Sequence, residues 1–190
     1  MDNLKKVVVF GGSGFLGSHV ADALSKKGFD VVIFDIAESP FINKKQNMVI
    51  GDILNSEQVN KVVHNSHFVY HFAGLADINE AKTKPLETIT SNILGTTNIL
   101  EACRINNVDR FVFASTIYVY SELGSFYRSS KQACELIIEN YFDEYELNYT
   151  ILRYGSLYGK RANQFNFIRN AVTQALLENK IDRKGDGNEV

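Results

Sequence analysis

The sequence is short of several things, and each shortage closes off a class of protein. Its 190 residues include two cysteines, Cys103 and Cys134. Two thiols cannot staple a domain of this size, and both fall in helix-like segments, so they are expected to be buried thiols of a reducing cytoplasm. The four histidines, His19, His64, His67 and His71, have no metal-ligand spacing, and packing and hydrogen bonding are their expected roles. Twenty Lys and Arg stand against 22 Asp and Glu, a net charge of −2. That lacks the basic excess that drives phosphate binding, and no nucleic-acid partner is expected. No apolar run approaches the ~18–20 residues of a membrane span. The four-residue apolar run after Lys6 is too short for a signal-peptide core. The two prolines, Pro40 and Pro85, both lie outside the runs that read as strands, as ladder hydrogen bonding requires.

Short β-branched and aromatic runs are what the sequence does have: Lys6–Phe10, Val31–Ile36, Met48–Ile50, Phe68–Ala73, Arg110–Ala114 and Tyr149–Leu152. Their near-freedom from polar interruption suits strands covered on both faces. Helical spacing fills the gaps through Leu16, Val20 and Leu24; Val59, Val62 and Val63; Ile89, Ile93, Leu100 and Cys103; Ala133, Leu136, Ile137 and Tyr141; and Phe167, Ile168, Ala171, Ala175 and Leu176. Alternation of this kind predicts an α/β fold, a doubly wound parallel sheet with helices on both faces. Residues 37–46 read as a surface loop, and Asp182–Val190 as a charged tail.

The string GGSGFLG at 11–17 joins the first strand to the first helix. It reads as G-x-G-x-x-G through Gly12, Gly14 and Gly17 or as G-x-x-G-x-x-G through Gly11, Gly14 and Gly17. Either way glycines permit a tight turn, and the positive helix end attracts a pyrophosphate. The alternative is a tight turn with nothing bound. Asp35, 18 residues beyond Gly17, ends the second apolar run where a dinucleotide fingerprint needs an acceptor for ribose hydroxyls. Its charge would repel a 2′-phosphate, and Ile36, Ala37 and Glu38 offer no Arg to neutralise one, so NAD is favoured over NADP. Asp52 follows the third strand, placed either to accept from an adenine amino group or to cap a helix.

Tyr127 and Lys131 stand four apart on one helix face. A nearby ammonium and a cationic nicotinamide both favour a phenolate, which can take the proton from a substrate hydroxyl as hydride leaves. Ser115 and Thr116 lie at the carboxyl end of the fifth strand, either one able to hold the substrate oxygen, or both simply satisfying backbone groups.

With HFAG at 71–74, NILGTTNILEAC at 92–103, FVFAST at 111–116 and LRYGSLYG at 152–159 in order, the chain resembles the extended short-chain dehydrogenase/reductase family, often called NAD-dependent epimerase/dehydratase. The resemblance runs from about Lys5 to the end and implies a Rossmann-type domain over 1–160, with 161–190 the start of an incomplete substrate domain, the family's members being longer. It implies an NAD site lined by Gly11, Gly14, Phe15, Leu16, Gly17, Asp35, Asp52, Ile53, Phe72, Ala73, Gly74, Leu75, Asn92, Tyr127, Lys131 and Tyr154. It also implies a catalytic set of Thr116, Tyr127 and Lys131, with Ser115 a neighbour.

Dehydratases of the family carry Asp-Glu after the catalytic Thr, where this chain has Ile117 and Tyr118. Without those carboxylates water elimination lacks its acid and base, whereas 4-epimerisation needs only reversible hydride transfer. The expected activity is therefore that of a cytoplasmic NAD-dependent epimerase acting on a nucleotide sugar. A keto-reductase of the same family, or an NAD-binding module without turnover, are the alternatives. The wide apolar arc over Ala133–Phe142 predicts a partner helix, and the resemblance suggests a homodimer through it and the helix containing Ile93–Cys103.

Overall fold

Val7, Val8, Val9 and Phe10 are all wholly buried, although alternate residues of a strand point to opposite faces. Only a strand covered on both sides meets that condition, and the computed structural model, which describes residues 4–164 and 166–182, shows how it is met. Six parallel strands, β1 (Lys6–Phe10), β2 (Asp30–Asp35), β3 (Gln46–Ile50), β4 (Phe68–His71), β5 (Arg110–Thr116) and β6 (Tyr149–Tyr154), form one sheet in the order β3-β2-β1-β4-β5-β6. Among the helices, α1 (Phe15–Lys26) lies on one face, where its Ala21 and Leu24 cluster with Val7, Val9, Val31 and Ile33. The other face buries Val8, Phe10, Val32 and Phe34 with Val59 of α2 (Ser56–Val63), Ile99 and Leu100 of α5 (Gly95–Ile105), and Cys134 and Ile138 of α6 (Ser125–Tyr145).

Order reverses between β1 and β4, the point where a doubly wound sheet opens a crevice at the carboxyl ends of its strands. Short helices α3 (Ile78–Thr83) and α4 (Pro85–Ile89) follow β4. A single wide π-helical turn, Thr90–Leu94, joins α4 to α5, so the run from Ile89 to Cys103 is not one regular helix. Its extra residue turns Asn92 inward, a placement that 3.6-residue periodicity does not contain.

Several strand bounds differ from those expected. β2 stops at Asp35 and leaves Ile36 exposed, β4 stops at His71, β5 reaches Thr116 and β6 reaches Tyr154. The Met48–Ile50 run begins earlier, at Gln46, and is not covered on both faces: as an edge strand it leaves Val49 and Ile50 exposed. Cys103 and Cys134 are buried free thiols.

Packing separates the chain into two units, Met1–Gly155 and Ser156–Val190. The second contains α7 (Phe167–Glu178), whose N-cap Asn166 accepts from the Arg169 N–H at 3.0 Å. Apart from Asp182, the tail Asp182–Val190 lies outside the described residues. Among the described residues no helix is long and apolar enough to cross a membrane.

Candidate functional site

The glycine turn is shaped by contact between backbones. Gly11 has φ +75°, and a Cβ there would lie 2.5 Å from the Ala73 nitrogen. A Cβ on Gly17 would lie 2.2 Å from the Gly11 carbonyl oxygen, so only hydrogen lets α1 start so close to β1. The N-cap of α1 is Gly14, and no side chain caps the helix, whose first turn holds Phe15 and Leu16. Asp35 at the end of β2 accepts from the Ser13 N–H through Oδ2 at 3.0 Å, which draws the turn toward the carboxylate.

Asp52 lies at the outer edge of the same row of strand ends. Its Oδ1 accepts from the Leu54 N–H at 2.9 Å, and the cap of α2 is Asn55, which accepts from the Gln58 N–H. The helix-cap reading of Asp52 is thus corrected: the carboxylate closes a local turn and stays exposed. Ile53 is buried against Gly95.

Beyond β4, Phe72 stacks on Tyr70 with ring centroids 6.4 Å apart, and the chain passes through Ala73, Gly74 and Leu75. Asn92 is buried and binds both sides of this segment: Oδ1 accepts from the Leu75 N–H at 2.8 Å, and Nδ2 donates to the Leu75 carbonyl at 3.0 Å and to Ser130 Oγ at 2.9 Å. It ties the crevice wall to α6. His71 has its Nε2 2.9 Å from Thr96 Oγ1 and is buried, and desolvation holds its pKa well below the usual histidine range.

Ser115 and Thr116, equivalent as hydroxyls at one strand end and told apart only by the family resemblance, have different partners in the fold. The Ser115 hydroxyl donates to Glu135 and is spent inside the core. Thr116 Oγ1 accepts from the Tyr118 N–H at 3.2 Å, and its hydroxyl acts to lower the phenol of Tyr127, which stands on the first turn of α6. Tyr154, at the end of β6, is in register with Thr116. One turn beyond Tyr127, Lys131 donates to the Ala114 carbonyl at 2.9 Å, with its Nζ 4.5 Å from the Phe113 ring centroid and 6.0 Å from that of Tyr127. Burial pushes Lys131 down to about 8, against the pull of Cys134 and Glu135. Tyr127 is pushed up by burial, with the Thr116 hydrogen bond opposing. In the protein alone the phenol is therefore raised rather than lowered, with burial the largest cause.

The expected catalytic residues thus meet at the end of β5, and the expected dinucleotide residues lie along the neighbouring strand ends. Ser13, Ser130, Glu135 and Arg153 were not anticipated. Glu135 had one signal, its place four residues beyond Lys131 on the same helix face.

The family described as NAD dependent epimerase/dehydratase matches residues 7–190. This chain belongs to that family. Epimerase/dehydratase relatives include a putative UDP-glucose 4-epimerase of Methanocaldococcus jannaschii, 31% identical over 204 aligned positions that cover 96% of this chain and 67% of that one. The UDP-N-acetylglucosamine 4-epimerase of Methanobrevibacter ruminantium, solved with UDP-N-acetylmuramic acid, superposes with a TM-score of 0.86 at 26% identity, covering 98% of this chain and 67% of its own. The Thermus thermophilus UDP-glucose 4-epimerase, solved with NAD, gives a TM-score of 0.81 at 29% identity, with 90% of this chain and 61% of that chain covered. The chain therefore spans about three-fifths to two-thirds of the length of these epimerases.

Proposed function

We propose that this chain is the nucleotide-binding and catalytic part of an NAD-dependent UDP-sugar 4-epimerase. The observation that carries the reading is the convergence of Thr116, Tyr127 and Lys131 at the end of β5, beside a glycine turn that a Cβ would fill.

The residues fit NAD. The uncapped start of α1 would hold the pyrophosphate, Asp35 would accept from ribose hydroxyls and disfavour a 2′-phosphate, and Lys131 would donate to the second ribose. Bound NAD supplies the acceptor and donor of hydride. Thr116 orients the sugar hydroxyl, and Tyr127 takes its proton as the carbon becomes a ketone. The ammonium of Lys131 and the cationic nicotinamide favour the phenolate form. Tyr127 would give the proton back to the oxygen as the ketone is reduced, and reduction from the opposite face would invert the centre. Ile117 and Tyr118 form a 3₁₀ turn where a dehydratase needs carboxylates, which supports epimerisation over water loss.

Tyr127→Phe tests the reading. Turnover of a panel of UDP-sugars should fall by about 10²–10⁴-fold, the usual share of a general acid–base group, with NAD binding kept. An unchanged rate removes the mechanism. Turnover that requires added NADH points to a keto-reductase, and NAD binding with no turnover by the wild type points to a binding module.

The same reading includes a homodimer through α5 and α6. Leu94 just before α5, and Leu136 and Phe142 of α6, are exposed, although Cys134 and Ile138 turn inward, so the apolar arc of α6 is shared between the core and solvent. A monomer in sedimentation at micromolar concentration would count against it.

A further inference from the structure

Glu135 is a carboxylate where the core should hold none: its side chain is 9% exposed. Its partners come from two strands. Ser115 Oγ of β5 donates to Oε1, and Arg153 of β6 donates from Nε at 3.0 Å and from its terminal nitrogen at 2.7 Å. Ser115 and Arg153 are register partners, so one carboxylate fastens both strands at a single level. That level lies between two functional groups. Ala114, one residue before, carries the carbonyl that receives Lys131, and Thr116, one residue after, carries the hydroxyl that acts on the Tyr127 phenol. The other terminal nitrogen of Arg153 donates to the Tyr120 hydroxyl and so holds the turn that follows Thr116.

The charges around Lys131 make the arrangement more than a brace. Facing it are Tyr127, Cys134 and Glu135 from α6 and His71 from β4, with Arg153 of β6 behind the carboxylate. His71 stays neutral, and Glu135 is the one carboxylate among them. We propose that Glu135 is a positioning residue: held by Ser115 and Arg153, its carboxylate fixes the strand end that carries Thr116 and supplies the counter-charge for the Lys131 ammonium beneath Tyr127. Its catalytic meaning rests on the epimerase reading, but its test does not.

The test is NMR of the full chain labelled with ε-¹³C-lysine, with the Lys131 resonance assigned by its loss in Lys131→Met. Wild-type Lys131 should titrate near 8. In Glu135→Gln the midpoint should fall by about one pH unit, the lower end of the effect of one opposite charge at close range. Glu135→Asp, which keeps the charge, should stay nearer wild type. If Glu135→Gln fails to fold because it strands the Arg153 guanidinium, Glu135→Gln with Arg153→Met removes both charges and should lower the midpoint in the same direction by less. A wild-type midpoint in the folded neutral variant overturns the proposal. A wild-type chain that binds NAD but never epimerises removes the functional reading, while the titration still answers for Glu135.

Discussion

Gly17→Ala adds one carbon at a place where the structure has no room for it. The new Cβ would sit 2.2 Å from the Gly11 carbonyl oxygen and 2.9 Å from both the Gly11 carbonyl carbon and Gly12 Cα. Ordinary van der Waals contact begins near 3.4 Å. The turn and the start of α1 must therefore separate by about 1 Å, and since every atom in the way is backbone, no rotamer change relieves the clash. Overpacking of this kind costs about 1–3 kcal/mol. For a chain of this length each kcal/mol moves the melting temperature by about 2–4 °C, so Tm should fall by about 2–12 °C. Displacing the turn by ~1 Å also removes hydrogen bonds to a charged pyrophosphate, each worth about 1.5–3 kcal/mol, which corresponds to about a ten- to hundredfold loss of NADH affinity. Thermal unfolding and NADH fluorescence titration measure the two effects. Gly28→Ala is the control: at φ +87° it is strained but meets nothing within 4 Å, so it should lose stability and keep its NADH affinity. A Gly17→Ala protein within about 1 °C and about twofold of wild type would refute the argument that backbone contact shapes the site.

Asp35→Arg removes both the acceptor of the Ser13 N–H and the charge that disfavours a 2′-phosphate. NAD affinity should fall by about ten- to hundredfold and NADP affinity should rise, as read by the same titration; unchanged NAD binding with no gain for NADP would remove the ribose assignment. His71, buried and held neutral, sets an acid-side slope. Its folded pKa lies below its unfolded value, so the unfolded chain binds the extra proton, and stability present above about pH 6.5 is lost as pH falls. Between pH 7.5 and 5.5 the wild type should lose about 1 kcal/mol relative to His71→Phe in urea unfolding, and parallel pH profiles for the two proteins would contradict this.

Wherever chemistry depends on neighbours in the chain, the sequence was sufficient. A strand that must be apolar on both faces writes a continuous run, and β1 appears at Lys6–Phe10 as expected. A helix that starts hard against a strand end needs a turn without side chains, and Gly11, Gly14 and Gly17 announce it. Tyr127 and Lys131 share a helix face because four residues make about one turn. Edge position leaves no such mark: the Met48–Ile50 run reads as covered, yet it belongs to β3, which lies outermost.

Tertiary structure gives the physical difference between Ser115 and Thr116, which residue chemistry left open and only the family resemblance distinguished: which hydroxyl a core carboxylate consumes depends on α6 crossing β5. It likewise turned Asn92 inward through a π-helical turn, set Lys131 down to about 8 and joined Ser115, Glu135 and Arg153 into one buried cluster. Local pattern records which groups a chain can offer. Desolvation and partner choice depend on which distant segments close over those groups, and that is decided only when the sheet and its helices pack.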